Sequence, residues 1–477
     1  MENQRHGAHG SVTLVKNPSA GWQEKAQRQM IHLMRARGTR ILVLIWVAHL
    51  VSMFGSGLTG FAMGVWIYQR TGSVTQFAFT VLSMIVPALL VSPVAGLLVD
   101  RWNRRCVMIL SDSGAALSVL AISVLLTLGR FEVRHFYIAL AVGGIFGVFR
   151  ELAFAAIIPM LVSKKHFGRV SGMMQMGSAG IRIICPLAAG LLLGFMPIQS
   201  LILIDLGTFF VPIVTMLLVR IPRPDASIQG QTDRGSFWQG ISSGWTFITA
   251  RQGVMVMLIF FVILNFTMGL AHALYRPLLL SFTSVKMVGL MSTIGGCGVL
   301  AGSLVMGLWG GPKRRIRGIF SFGLLYGAGL ITAGLRESIP LIAAGFFVSI
   351  FGAPIISGSM QAMWLSKTPP DLQGRVFAVW TMILKASLPL AYLVAGPLAD
   401  NVFKPLLGVG GPLAGSFGTL LGVGPGRGIG LLYIAIGIVV VLTTALTYLH
   451  PRFRLIEDEM PDVIGDEAPA NLEQSYA

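Results

Sequence analysis

Gly96-Leu97-Leu98-Val99-Asp100-Arg101-Trp102-Asn103-Arg104-Arg105 separates two long apolar blocks, about 75–99 and about 105–129. Each block has the roughly 20 residues a helix needs to cross a hydrocarbon core of about 30 Å. Three arginines in so short a connection mark it as cytoplasmic. That topology rule explains the arginines but not Asp100. A carboxylate and a guanidinium at adjoining helix ends form charge-assisted hydrogen bonds that can hold one conformation. Asp100, Arg101, Arg104 and Arg105 therefore read as a cytoplasmic gate. Asp112, near the cytoplasmic end of the next block, joins them as a structural clamp with Arg101 or Arg105 as its expected partner.

The same alternation of apolar block and short polar turn continues in both directions. Twelve spans are expected, at about 41–68, 75–99, 105–129, 135–161, 168–194, 198–219, 253–281, 285–309, 316–335, 339–365, 373–399 and 428–449. The apolar runs are continuous and not alternating, so they are helices and not barrel strands. Composition agrees. The 477 residues are 54% hydrophobic and 12% charged, about half the charge a soluble surface carries. The fold class is therefore an all-α membrane protein of twelve transmembrane helices in two pseudo-symmetric six-helix bundles.

Net charge is +17, yet nucleic acid is not the expected partner, because the cations cluster in short loops between spans. With the N-terminus inside, 25 of the 36 Lys and Arg residues fall on the inner side, seven on the outer side and four within spans. Both termini are thus expected in the cytoplasm. Residues 1–40 are polar and basic, without a signal-peptide pattern. Cys106, Cys185 and Cys297 form neither a disulfide framework nor a metal spacing.

The expected organisation is a basic segment (1–40), a first six-helix bundle (41–219), a linker (220–252), a second bundle (253–449) and an acidic tail (450–477). In the linker, Phe237, Trp238, Ile241, Trp245 and Ile248 recur at helical spacing, as in an amphipathic surface helix. Residues 401–427 are rich in Gly, Leu and Pro and read as an outer interfacial or re-entrant insert. A weak internal repeat relates the bundles. Gly168-Arg169-Val170 opens the fifth span and Gly374-Arg375-Val376 the eleventh, and Ala189-Gly190 and Ala395-Gly396 follow at the same spacing. Parallel repeats of this kind belong to a large transporter class.

The Gly96–Arg105 loop resembles the signature loop of the major facilitator superfamily, with Asn103 where that family prefers glycine. Its second-half equivalent, Gly307-Leu308-Trp309-Gly310-Gly311-Pro312-Lys313-Arg314-Arg315, keeps glycines and bases but lacks the aspartate. The first span and its exit, from Gly55 through Trp66, Tyr68, Arg70 and Gly72, resemble the subgroup of macrolide-efflux, catecholate-siderophore-export and lysophospholipid-transport proteins. The likeness continues through Pro159, Gly168-Arg169-Val170 and Gly358 to Gln361, and it leaves out the insert. Cys185-Pro186-Leu187-Ala188-Ala189-Gly190 resembles the proline-glycine pattern of antiporters in that superfamily, with Cys185 and Ala189 in place of glycines. A packing kink accounts equally well for that stretch.

Charges inside spans point to the site. Arg150 and Glu151 lie near the middle of the fourth span, Arg182 of the fifth and Lys385 of the eleventh. A cation at mid-membrane costs roughly 3 kcal/mol, so it faces a wet cavity or a partner. In the resembled fold these helices contribute to the central cavity, which makes Arg150, Glu151, Arg182 and Lys385 the expected substrate-binding residues. A structural Arg–Glu pair is the alternative. Glu151 is the one carboxylate read near the midplane, and is the expected proton-coupling residue. Asp205, His272 and Arg276 fall toward the outer side, as cavity residues or as interface pairs. Trp364 and Trp380 read as packing or anchoring residues.

Neither a P-loop nor a metal spacing occurs, so no cofactor and no ATP-driven or enzymatic chemistry is expected. The expectation is a monomeric secondary transporter in a bacterial-type cytoplasmic membrane. Its partners would be the lipid bilayer and a small-molecule substrate with an anionic group. Proton-coupled efflux of a siderophore, drug or other secondary metabolite by alternating access leads. A lysophospholipid transporter or an importer of the same fold is the alternative. Outside transport, a polytopic membrane enzyme or scaffold would need catalytic groups clustered at one membrane face, which the sequence does not show.

Overall fold

A computed structural model describes residues 18–162, 167–219, 242, 245–312, 314–368 and 370–449. The chain is all-α, and twelve helices among the described residues are long and apolar enough to cross a membrane. We number them α1 (Pro18–Thr71), α2 (Val74–Arg101), α3 (Arg104–Thr127), α4 (Val133–Leu161), α5 (Phe167–Leu192), α6 (Ile198–Leu218), α7 (Gln252–Leu280), α8 (Val285–Trp309), α9 (Arg315–Leu335), α10 (Ile339–Lys367), α11 (Pro370–Pro397) and α12 (Arg427–Leu449). An even number of crossings puts the start of α1 and the end of α12 on one side, the termini face. The other side is the far face.

Local chemistry sets the helix ends. Ser73 caps α2, its Oγ accepting from the Gln76 N–H at 3.2 Å, and Ser284 does the same for α8 through Met287. Gly310 ends α8 in the left-handed conformation, at φ 74°. Small residues set the crossings, since lipid offers no hydrophobic drive for helix association. A methyl group on Gly144 of α4 would come within 2.3 Å of the Met84 carbonyl oxygen of α2. Such a clash shows backbones already in contact. Gly329 and Gly345 bring α9 against α10 in the same way.

Two departures from the sequence reading concern ends and loops. The eleventh crossing does not stop near 399: a π-helical turn, Leu398–Phe403, and a further turn, Lys404–Leu406, carry it on to Leu406. The glycine-rich stretch after it is a folded cap on the far face. The Leu413 N–H donates to the Leu406 carbonyl and Gly424 to Leu407, Leu407 and Leu421 are buried, and a short helix forms at Phe417–Leu421. Its glycines are there for the turns: Gly410, Gly422, Gly424 and Gly426 all have positive φ. Arg427 then anchors the cap, donating to the Leu335 carbonyl at 2.8 Å.

The basic residues 1–17, Phe237, Trp238 and Ile241 of the linker, Lys313 and the tail lie outside the described residues. Of the linker aromatic stripe, Trp245 is exposed and Ile248 is buried in the core.

Candidate functional site

The two halves pack most closely at two seams, and both lie toward the far face. At the first, α5 packs on α8. A methyl group on Gly289 would stand 2.5 Å from the Pro186 carbonyl oxygen, one on Gly190 3.0 Å from that of Val285, and Thr293 Oγ1 donates to the Ile183 carbonyl at 2.9 Å. At the second, α11 packs on α2, where a methyl group on Gly396 would reach within 2.4 Å of Thr75 Cα. Gly190 and Gly396 are the paired glycines of the internal repeat. Each lets the end of its helix press against the start of a helix in the other half.

The second seam carries a polar latch that sequence reasoning missed. Asp400, on the π turn of α11, accepts from Ser73 Oγ (2.7 Å), the Val74 N–H (3.0 Å), the Thr75 N–H (2.8 Å) and Thr75 Oγ1 (2.8 Å). It thus fills the anion site at the N-terminus of α2 with a carboxylate from the other half. Lys404 completes the latch, donating at 2.7 Å both to Asp400 and to the Gly72 carbonyl. Only the i,i+4 spacing of Asp400 and Lys404 was visible in the sequence, and it does not reveal the partner helix.

Toward the termini face the same helix surfaces part. Met176 lies two turns before Ile183 on one face of α5, and Leu300 two turns after Thr293 on α8; both are exposed, Met176 at 73%. Leu89 of α2 and Met382 of α11, on the stripes of Thr75 and Gly396, are exposed as well. The apolar core repeats the pattern. One cluster joins Phe61, Val74 and Ala189 to Leu274, Ala391 and Ala395 across the halves. The cluster at the termini end of the first half (Leu42, Val99, Met108, Ile157, Met216) holds only first-half residues. Among the described residues, then, the halves touch toward the far face, and the same helix stripes are exposed toward the termini face.

Arg182 and Lys385 border this gap. On α5, Ile183, Pro186 and Gly190 face α8, whereas Cys185 faces α1, its Sγ 3.5 Å from the Phe54 carbonyl. Arg182 projects between these two directions, at roughly 60–75° from each by helical geometry, and is exposed. On α11, Lys385 shares a stripe with Tyr392 and Gly396, the stripe that meets α2, and is exposed where the seam has opened. His272 and Arg276 share one face of α7. Arg276 lies over the Phe61 ring of α1, 5.0 Å from its centroid, and His272 is within electrostatic range of both Arg276 and Arg182.

The other expected site residues are arranged differently. Arg150 is paired within the first half, its Nη1 3.2 Å from Asp112 Oδ1, with side chains 18% and 1% exposed. This departs from the expected partner of Asp112 and from the alternative of a structural Arg–Glu pair. Asp112 does not partner Arg101 or Arg105, because its depth in α3 sets it level with Arg150 and not with the loop. Arg150 does not pair with its neighbour Glu151, since adjacent helix positions diverge by about 100°. Glu151 is exposed and makes neither a hydrogen bond nor an ion pair with another described residue. Arg104 donates to the Ala156 carbonyl at 3.2 Å, and Arg105 to the Met216 and Leu217 carbonyls, both at 2.7 Å. Both cations thus satisfy carbonyls in the last turns of α4 and α6, inside their own half. Arg101 is exposed, and the Asp100 side chain lies outside the described residues. Asp205 is buried; its Oδ1 accepts from Ser56 Oγ at 3.2 Å and its Oδ2 has no partner. Trp364 and Trp380 pack on each other, 5.9 Å between centroids. Among the described residues, no cluster of His, Cys, Asp or Glu could hold a metal ion.

A sequence model described as Major Facilitator Superfamily matches residues 45–392. The chain belongs to the major facilitator superfamily. Its similarity to named members is modest. Macrolide efflux protein A of Streptococcus pyogenes is 25% identical over 379 residues, 75% of this chain and 89% of that protein. The enterobactin exporter EntS of Salmonella typhi is 24% identical over 345 residues, 71% of this chain and 80% of that one. Solved transporter structures share the fold. A variant of the nucleoside transporter NupG superposes with a TM-score of 0.67 at 10% identity, covering 85% of this chain and 99% of that one. A bacterial homologue of the lysosomal transporter Spinster, inward-facing and occupied, superposes at 0.66 and 12% identity, covering 89% and 99%. As a superfamily member of this architecture, the chain is a secondary transporter of small molecules.

Proposed function

We propose that this protein is a proton-coupled exporter of a small organic molecule, working by alternating access in a bacterial cytoplasmic membrane with both termini in the cytoplasm. One observation carries the reading: among the described residues the halves touch toward the far face and part toward the termini face, where Arg182 and Lys385 are exposed without a carboxylate partner. The excess of Lys and Arg in the loops of the termini face makes that face the cytoplasmic one. The conformation is then inward-facing, ready to load a cytoplasmic substrate. The efflux proteins among the relatives of about 25% identity support export over import. Arg182 grips an anionic group with paired hydrogen bonds, and Lys385 attracts it as a point charge. Glu151, exposed and without an ion-pair partner among the described residues, is the coupling carboxylate.

The test is transport into proteoliposomes of a macrolide and of enterobactin, with and without an imposed pH gradient. Accumulation of either only under the gradient supports the proposal. Gradient-independent equilibration of both, or accumulation only under an inverted gradient, would replace it with a facilitator or an importer.

A further inference from the structure

We infer that Arg182, His272 and Arg276 form a single anion seat at the sealed end of the gap, shared between the halves, and that its ligand is an organic anion carrying a carboxylate or phosphate-like group. The inference rests on the transport reading and deepens it by naming the substrate class.

Arg276 is the anchor. It stands one turn from the far end of α7, beneath the roof formed by the two seams, and is half-buried. A guanidinium has five N–H donors and no acceptor. Among the described residues none of these donors finds a hydrogen-bond acceptor or a carboxylate; what Arg276 has is the face of Phe61. His272 lies one turn toward the termini face on the same stripe of α7, and Arg182 projects from α5 within electrostatic range of it. Of the two carboxylates deepest in the first half, Asp112 pairs with Arg150, and Asp205 accepts from Ser56 through one oxygen. The roof thus holds two guanidiniums, Arg182 exposed and Arg276 half-buried, without a carboxylate partner among the described residues. An oxyanion placed among the three groups supplies that partner. Phe61 and Tyr392, both part of the apolar core there, provide the surface for an apolar or aromatic body.

The seat is divided. Arg182 belongs to the first half, and His272 and Arg276 to the second. Empty, its cations repel across the seam; occupied, the anion attracts both halves. Binding therefore favours the sealed far face, and rocking of the halves separates the donors and loosens the ligand. A site whose donors part on opening changes affinity as it changes sides, as export requires.

Spin labels at Gln69→Cys and Val409→Cys, exposed far-face positions in opposite halves, report the seal in nanodiscs once the exposed Cys106 and Cys297 are replaced by serine. Four probes separate the chemistries: benzoate, phenyl phosphate, inorganic phosphate and neutral benzyl alcohol. Benzoate or phenyl phosphate should enlarge the short-distance population, and benzyl alcohol should not. Arg276→Gln and Arg182→Gln should each raise the Kd of the active probe about tenfold or more, equivalent to about 1.4 kcal/mol. Arg276→Lys should recover part of the loss, and Arg130→Gln, on the exposed far surface, should change nothing. A thermal melt matching wild type certifies each variant as folded. Equal responses to benzoate and benzyl alcohol, or binding indifferent to Arg276→Gln in a folded variant, would overturn the seat. Inorganic phosphate acting as well as phenyl phosphate would make it an inorganic-ion site and overturn the substrate class. Arg276-dependent benzoate binding without gradient-driven transport would leave the seat standing and remove the exporter reading.

Discussion

Asp400 accepts two hydrogen bonds from Thr75, both at 2.8 Å, one from the backbone N–H and one from the hydroxyl. The two residues belong to different halves, so the contact exists only while the far face is sealed. Charge-assisted bonds of this kind are about twice as strong as neutral ones. Asp400→Asn removes the charge while nearly keeping the shape. It is expected to shift the population toward a far-face-open form, read as a longer distance between far-face labels, with the protein still inserted and folded. An unchanged distance distribution would show that the glycine seams alone hold the seal.

The Asp112–Arg150 pair, in contrast, lies within one half, with Asp112 buried and Arg150 half-buried. It is expected to hold α3 against α4 and to contribute to stability, not to switching. Arg150→Gln leaves the buried Asp112 carboxylate without its counterion, at a cost of about 3 kcal/mol, and Asp112→Asn frees the half-buried Arg150 at a smaller cost. Each should lower the melting temperature in detergent, and the double substitution should cost less than the two added together. Additive losses would mean that the two groups stabilise the protein independently.

The twelve crossings were legible because lipid demands long uninterrupted apolar helices, and Pro or Gly inside them leaves that signal intact. The paired glycines Gly190 and Gly396 were legible as a repeat, though not as the points where the halves touch, because a helical face becomes a seam only through tertiary packing. Arg182 and Lys385 stood out from cost alone, as charges inside apolar spans. The partner of Asp112 could not be named, since the choice between Arg105 and Arg150 depends on the stagger of α3 against α4. The Asp400 latch was hidden because Thr75 lies 325 positions away, and the eleventh span was cut short because a π turn followed by a glycine-rich stretch imitates a helix end.

Glu151 is expected to be required for coupling and dispensable for binding. Glu151→Gln should retain downhill exchange in proteoliposomes and lose the response to an imposed pH gradient. A variant that still concentrates substrate under the gradient would move the coupling role elsewhere, with the buried Asp205 next to be tested by Asp205→Asn.

Alternating access itself is tested most directly at Thr293, which lies in the α5–α8 seam, about 12 Å along the helix from its far end. In a background with Cys106 and Cys297 replaced by serine, Thr293→Cys is exposed in turn on each side of the membrane to a membrane-impermeant thiol reagent. Modification is expected from the termini face and also, more slowly, from the far face, with the far-face rate rising when Asp400→Asn is added. Modification from the termini face alone, unchanged by Asp400→Asn, would contradict alternating access.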